Sequence, residues 1–212
     1  VRLTAYNLDG GGEGRADPIA EVLLAQRCDV VVLFEASHEP TLRRLERRLN
    51  LESIHLTDRE DHFAILCRDR LAYAVAHTAL NEPDESVVLE AMLTDALGKR
   101  FLILVAQTHS LSRSSRLRHL RRCGVPHAVF CADRAPIAPQ PEDSIAGYRT
   151  LCSVGRLEGS RLQPPVEFPA ERFVPGVYEW GMAPGGSAAV ETDRLALFAS
   201  QWLPVTVDWD GQ

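Results

Sequence analysis

VRLTAYN, residues 1–7, and DVVVLFE, residues 29–35, decide how this chain folds. The first alternates apolar and polar side chains and runs into Asp9-Gly10-Gly11-Gly12, which predicts a strand ending in a loop. The second is apolar on both faces and closed by an acid, the pattern of a strand buried inside a sheet. Between them, Asp17-Pro18 reads as the N-cap and first residue of a helix. Ile19, Val22 and Leu23 follow at helical spacing, and the helix ends near Arg27. Each strand thus delivers a polar residue at its end, Asn7 in one and Glu35 in the other.

Further along, Pro40 starts a second helix with Leu42, Leu45 and Leu49 on one face and Arg43, Arg44, Arg47 and Arg48 on the other. Strands are expected over residues 53–56, 62–68, 71–79, 87–94 and 100–108, with Asp95–Lys99 (DALGK) as a hairpin turn. A third helix is expected over about 112–122 and another buried strand over 128–132. The rest is rich in Pro and Gly: residues 164–186 read as long loops, and strands over 194–200 and 205–208 close the chain. Strands outnumber helices and several form hairpins, which describes a layered α+β domain with mixed sheets, one domain over 1–212. There is no internal repeat.

The 212 residues, 45% hydrophobic and 25% charged, suffice for a sizeable core without staples. A net charge of −6 argues against non-specific coating of nucleic acid, though not against a local basic patch. Every cation except Lys99 is arginine, a skew that fits a GC-rich genome. Five cysteines, with no CxxC pair, make a zinc cluster or complete disulfide framework improbable; Cys28, Cys67 and Cys131 sit in or beside apolar runs as small hydrophobes. No run approaches the length of a membrane span and no charged–apolar–small leader opens the chain, so a reducing cytoplasm is the expected compartment.

Polar residues recur at the ends of the apolar strands: Asn7 after LTAY, Glu35 after VVVLF, His109 after ILVAQT and Asp133 after AVFCA. Strand ends converge on one rim, where layered folds bind ligands. Glu and Asp supply hard oxygens for Mg²⁺ or Mn²⁺, and Asn adds a neutral amide. His protonates a leaving group or holds a phosphoryl oxygen. Taken singly, each of these reads first as a cap or first loop residue; the recurrence carries the functional reading.

In this order and spacing, VRLTAYNLDGGG, DVVVLFEAS, HFAILCR, ILVAQTHS, VFCADRAP and ETDRLALFAS resemble the successive motifs of the endonuclease/exonuclease/phosphatase superfamily. The resemblance spans about residues 1–208. It implies a DNase I-like two-sheet sandwich flanked by helices, with a Mg²⁺- or Mn²⁺-dependent phosphoesterase site. On it, Glu35 falls on the metal-binding Glu and Asn7 on the Asn near metal and phosphate. His109 falls on the Thr-His histidine and Asp133 on the Asp that orients the attacking water. Arg194, beside Asp193, falls on the Arg-Ile-Asp strand, with Leu195 and Ala196 in place of its Ile and Asp. Arg134, Arg113 and Arg194 are the candidate substrate-binding cations, for a phosphorylated small molecule or a nucleic acid.

Two departures bear on activity. Where the resemblance implies Gly-Asp-Phe-Asn, the chain reads Ala132-Asp133-Arg134-Ala135, without the second Asn. The family's Ser-Asp-His, expected after the strand over 205–208, does not follow before Gln212. That His is the family's general base, a contribution of about 100- to 10,000-fold. Either the sequence stops short of it, or the chain is a divergent member with altered or no hydrolysis, a binding module or other chemistry on the same rim. Asp208, Asp210 and His62 are candidate replacements. The basic stretch 113–122 reads as a backbone grip for nucleic acid or a solvated helix face. Tyr178, Trp180 and Trp202 read as stacking platforms or core.

Overall fold

The computed structural model describes residues 1–56, 63–68, 72–79, 87–107, 127–132, 148–152, 176–180, 186–190, 194–200 and 204–209. The alternating opening segment forms β1 (Arg2–Asn7), and Gly10–Gly12 make a short 3-10 turn. Helix α1 (Ala16–Gln26) then carries the chain across to β2 (Val30–Phe34), whose five residues are all buried. Helix α2 (Glu39–Leu49) leads to β3 (Glu52–Leu56) and β4 (Ala64–Cys67). Next come β5 (Ala72–Ala79), β6 (Val87–Thr94), β7 (Arg100–Gln107) and β8 (His127–Ala132). The described remainder comprises β9 (Tyr148–Cys152), β10 (Gly176–Trp180), β11 (Gly186–Val190), α3 (Arg194–Ala199) and β12 (Val205–Trp209).

Two six-stranded mixed sheets result, ordered β11-β12-β1-β2-β4-β3 and β5-β6-β7-β8-β10-β9. Each has a parallel pair at its middle and antiparallel neighbours. In the first sheet β1 and β2 run parallel with Asn7 opposite Phe34; in the second, β7 and β8 run parallel with Gln107 opposite Ala132. The α1 crossover follows from the first pairing, because parallel neighbours cannot be joined by a tight turn. One buried apolar cluster takes in Leu3, Tyr6, Val30–Phe34, Ile65 and Leu66 of the first sheet and Ala91, Leu93, Ile103 and Val105 of the second. Each fully buried Leu, Ile, Val or Phe contributes about 1.5–3 kcal/mol to such a core. The α+β reading stands.

The four arginines of α2 are largely neutralised. Arg44 holds Asp17 of α1 through two bonds of 2.7 and 2.6 Å, Arg48 pairs with Asp17 and Glu21, and Arg43 pairs with Glu39 and Glu46. Cys28 and Cys67 are free and buried, and burial pushes the Cys67 thiol up to about 11, away from the reactive thiolate. Among the described residues, no helix is long and apolar enough to cross a membrane.

Three sequence expectations are corrected. Residues 194–199 form a helix, not a strand. RLALFA is short and mostly apolar, a pattern that does not separate the two, and here α1 packs against α3. Asp17-Pro18 lies inside α1, with Arg15 at the N-cap; Pro18 is accommodated because first-turn N–H groups have no helical partner anyway. The span 164–186, read as loops, contains β10 and the first residue of β11. Strand β9 also went unread. The expected helix over 112–122 lies outside the described residues.

Candidate active site at the end of the β1–β2 pair

Parallel strands end on the same side of their sheet, so β1 and β2 deliver Asn7 and Glu35 to one rim. Asn7 is 1% exposed and donates from Nδ2 to Glu35 Oε1 at 3.2 Å, while its Oδ1 accepts the Asp9 N–H at 2.9 Å. The Gly10 N–H donates to Glu35 Oε2 at 2.9 Å. Both carboxylate oxygens are therefore held, each by a neutral donor. Among the described residues, Glu35 pairs with no Lys, Arg or His within 4.0 Å, unlike Asp17, Asp29 and Asp208.

This grip comes with local strain. Glu35 has φ 52°, left-handed backbone that costs an ordinary residue about 1–2 kcal/mol. Such outliers persist where the surroundings over-determine them, and they cluster at working sites. The glycine turn is wound the same way, with positive φ at Asp9, Gly10, Gly11 and Gly12. At Gly11 a side chain has no room: a Cβ there would lie 2.8 Å from Ser37 Oγ and 2.9 Å from the His38 Cβ and N. The loop after β1 thus packs directly onto the loop after β2.

Arg15, at the N-cap of α1, and Ser200, just after α3, close the rim. The Arg15 guanidinium donates to Ala199 O and Leu8 O, each at 2.8 Å, and to Asp9 O. Ser200 Oγ donates to Asn7 O at 2.7 Å. Neither residue was singled out from the sequence, because their partners lie up to 193 positions away. His38 was missed too, although it stands three residues beyond Glu35. Its Nδ1 lies 2.7 Å from Thr41 Oγ1, which lies 3.2 Å from Gly12 O.

The direction of β12 corrects another expectation. β12 is antiparallel to β1, with Val205 opposite Ala5 and Asp208 opposite Arg2. Residues after Asp208 therefore leave from the far end of the sheet, about 17 Å from Asn7 at strand spacing. A Ser-Asp-His placed there would not meet Glu35. The described residue that reaches this rim ahead of β12 is Ser200, bonded to Asn7 O; in sequence Gln201-Trp202 follow it, outside the described residues. Asp208 is likewise no replacement at this rim: it is bonded to Arg2 at 2.6 and 2.8 Å.

The other candidates divide by what is described. β7 ends at Gln107, two residues before His109, and β8 at Ala132, one before Asp133. His109, Asp133, Arg113, Arg134, Asp210 and His62 themselves lie outside the described residues, as do Arg194's side-chain contacts. Among the described residues, no three of His, Cys, Asp and Glu cluster as a metal cage. Glu35 still fits a divalent cation. Magnesium is commonly held by one or two carboxylates with waters and substrate oxygens, and an ionised carboxylate has about four acceptor positions, of which two are used here.

Neither a family model nor a curated protein matches the chain by sequence. Solved structures match it throughout. A mannosyl-6-phosphatase of Bacteroides thetaiotaomicron superposes with a TM-score of 0.70 at 14% identity, covering 98% of both chains. An endonuclease/exonuclease/phosphatase family protein from the same organism gives 0.68 at 14% identity, covering 98% of this chain and 96% of its own. TDP2 of D. rerio, complexed with single-strand DNA product, gives 0.65 at 15% identity over 98% of both.

Proposed function

Starting from a fold shared with DNase I-like, endonuclease/exonuclease/phosphatase proteins, we propose that this chain is a phosphoester hydrolase dependent on Mg²⁺ or Mn²⁺. The observation that carries the reading is Glu35: a rim carboxylate in left-handed backbone, oriented through both oxygens by neutral donors and, among the described residues, without a cationic partner. Such a group keeps its charge for a cation. The metal would supply charge to stabilise the transferring phosphoryl oxygens and to activate water. Glu35 holds it and Asn7 positions Glu35, its own Oδ1 being engaged by Asp9. In this reading the two sheets stack face to face as a helix-flanked sandwich within one domain, residues 1–212, in the cytoplasm.

His109 contacts the phosphate and Asp133 orients the water. Supporting them, β7 and β8 are parallel and end in register at Gln107 and Ala132, so the chain continues toward both residues from one edge. Arg113, Arg134 and Arg194 serve the substrate's anionic oxygens, either of a nucleic acid or of a phosphorylated small molecule. Three of the four arginines on the α2 face, Arg43, Arg44 and Arg48, are paired with Asp17, Glu21, Glu39 and Glu46, which argues against that face as a second grip.

A non-hydrolytic reading has one sequence feature in its favour: Ser200 is followed by Gln201-Trp202, without a carboxylate or imidazole. The two readings separate on cleavage of labelled single-stranded DNA and of nitrophenyl phosphate esters with Mg²⁺ or Mn²⁺. Hydrolysis that EDTA and Glu35→Gln both abolish supports the enzyme. Folded protein with no cleavage above Glu35→Gln leaves a binding module.

A further inference from the structure

We propose that Arg15 is a positioning residue for the metal-binding corner: its guanidinium locks the loop after β1 to the end of α3 around Asn7 and Glu35, and the corner's affinity for a divalent cation depends on that lock. The proposal rests on the metal-binding reading of Glu35 above. The guanidinium spans three backbone carbonyls, Ala199 O and Leu8 O at 2.8 Å each and Asp9 O. Arginine has donors only, so the direction of these bonds is fixed. Each carbonyl belongs to a residue that reaches the corner directly or through the next residue. The Leu8 N–H donates to Phe34 O at 3.0 Å, immediately before Glu35. The Asp9 N–H donates to Asn7 Oδ1 at 2.9 Å, and the next N–H, that of Gly10, donates to Glu35 Oε2 at 2.9 Å. Ser200, which follows Ala199, donates from Oγ to Asn7 O at 2.7 Å.

The lock is mounted on a firm base. The Arg15 N–H donates to Gly12 O at 2.9 Å, and its carbonyl accepts the N–H of buried Ile19 at 3.0 Å in the first turn of α1. A planar fork can hold carbonyls from two separate segments at once, which the compact ammonium of a lysine cannot. The nearest carboxylate oxygen, Asp9 Oδ2, lies 3.8 Å away, beyond hydrogen-bond reach, so the fork is spent on neutral carbonyls. Arg15 therefore acts on a bound divalent cation in two ways of opposite sign. As a like charge it repels the cation, and deleting it would tighten binding. As the lock it fixes the donors that orient Glu35, and deleting it weakens binding. The Arg15 side chain is 28% exposed, so solvent screens the repulsion, whereas an orienting partner is worth about 10- to 100-fold in metal affinity. The lock outweighs the charge.

The test titrates Mn²⁺ by calorimetry into metal-free wild type, Glu35→Gln, Arg15→Ala, Arg15→Lys, Asn7→Ala and the Arg15→Ala/Asn7→Ala double variant. Melting curves in EDTA set a temperature at which every variant is folded, so that lost stability does not enter the affinity. Arg15→Ala should bind Mn²⁺ about 10- to 100-fold more weakly. Arg15→Lys keeps the charge but cannot span the three carbonyls, so it should be weakened as well; if Arg15→Ala does not fold, Arg15→Lys carries the test. In the Asn7→Ala background one donor to Glu35 is already gone, and deleting Arg15 should cost less than it does in wild type. Unchanged or tighter binding in Arg15→Ala, or wild-type binding in Arg15→Lys, with Glu35→Gln weakened, overturns the proposal and leaves Glu35 as the metal ligand. Losses in Arg15→Ala and Asn7→Ala that simply add, within about twofold, overturn it too. If Glu35→Gln binds Mn²⁺ like wild type, the metal-binding reading itself falls and takes Arg15's role with it.

Discussion

At the start of β1, Arg2 grips Asp208 through two hydrogen bonds while Asp29 accepts the Arg2 N–H and pairs with Arg68 at 3.3 Å. At the end of the same strand, about 17 Å away, Glu35 is held by an amide side chain and a backbone N–H, with no cation among the described residues. At the first end each carboxylate has an arginine partner. The second presents an oriented carboxylate that no cation among the described residues pairs with. One strand therefore shows how a structural cluster and a candidate site differ: the difference lies in whether charge is cancelled, not in how many polar groups are present.

The sharpest break of that contrast is Glu35→Gln. It keeps the shape and removes the charge, so Mn²⁺ affinity measured by calorimetry should fall by more than the about 10- to 100-fold typical of losing an outer-shell partner. The melting temperature without metal should change little. Loss of stability with affinity retained would make Glu35 a structural residue like Asp208. Asn7→Ala comes next. It removes one donor to Glu35 and the acceptor for the Asp9 N–H, and Mn²⁺ affinity should drop about 10- to 100-fold. An unchanged affinity would mean that Gly10 alone orients the carboxylate.

The strands at this rim were legible because alternation in residues 1–7 and the unbroken apolar run of 30–34 leave little choice of structure. Their polar ends, Asn7 and Glu35, were legible for the same reason. Arg15 and Ser200 were not, since what they do depends on contacts made only when α3 docks beside the β1 loop, nor was His38, whose contacts need the two rim loops to pack together. Residues 194–199 were misread because six mostly apolar residues carry too little period to decide. The helix is instead bonded at its end, where Arg15 takes the Ala199 carbonyl. The direction of β12 was also invisible without its pairing, which carries the chain after Asp208 away from Asn7.

The glycine turn allows a finer cut. Gly10 and Gly11 both have positive φ, but a Cβ on Gly10 meets nothing within 4 Å, whereas one on Gly11 collides with Ser37 and His38. Gly10→Ala should cost only the left-handed backbone, about 1–2 kcal/mol. Gly11→Ala adds overpacking of about 1–3 kcal/mol. Urea melts of the two variants read the difference directly, and equal losses would show that the Ser37–His38 loop gives way freely.

The smallest effect belongs to the balanced end. The Arg2 guanidinium holds the Asp208 carboxyl below its ordinary 3.8, chiefly by hydrogen bonding. A depressed folded value adds stability that is present above about pH 4 and is lost as pH falls through the folded value. Both side chains are more than a third exposed, 39% and 36%, so solvent screening leaves about 0.5 kcal/mol for the pair. Asp208→Asn should therefore lower stability by about that amount at neutral pH, match wild type at pH 2, and show a smaller deficit in high salt. Mn²⁺ affinity should not move. A deficit that persists at pH 2 would trace the loss to packing rather than charge, while a change in metal affinity would mean that the two ends of β1 are coupled and that the contrast between them is not one of independent regions.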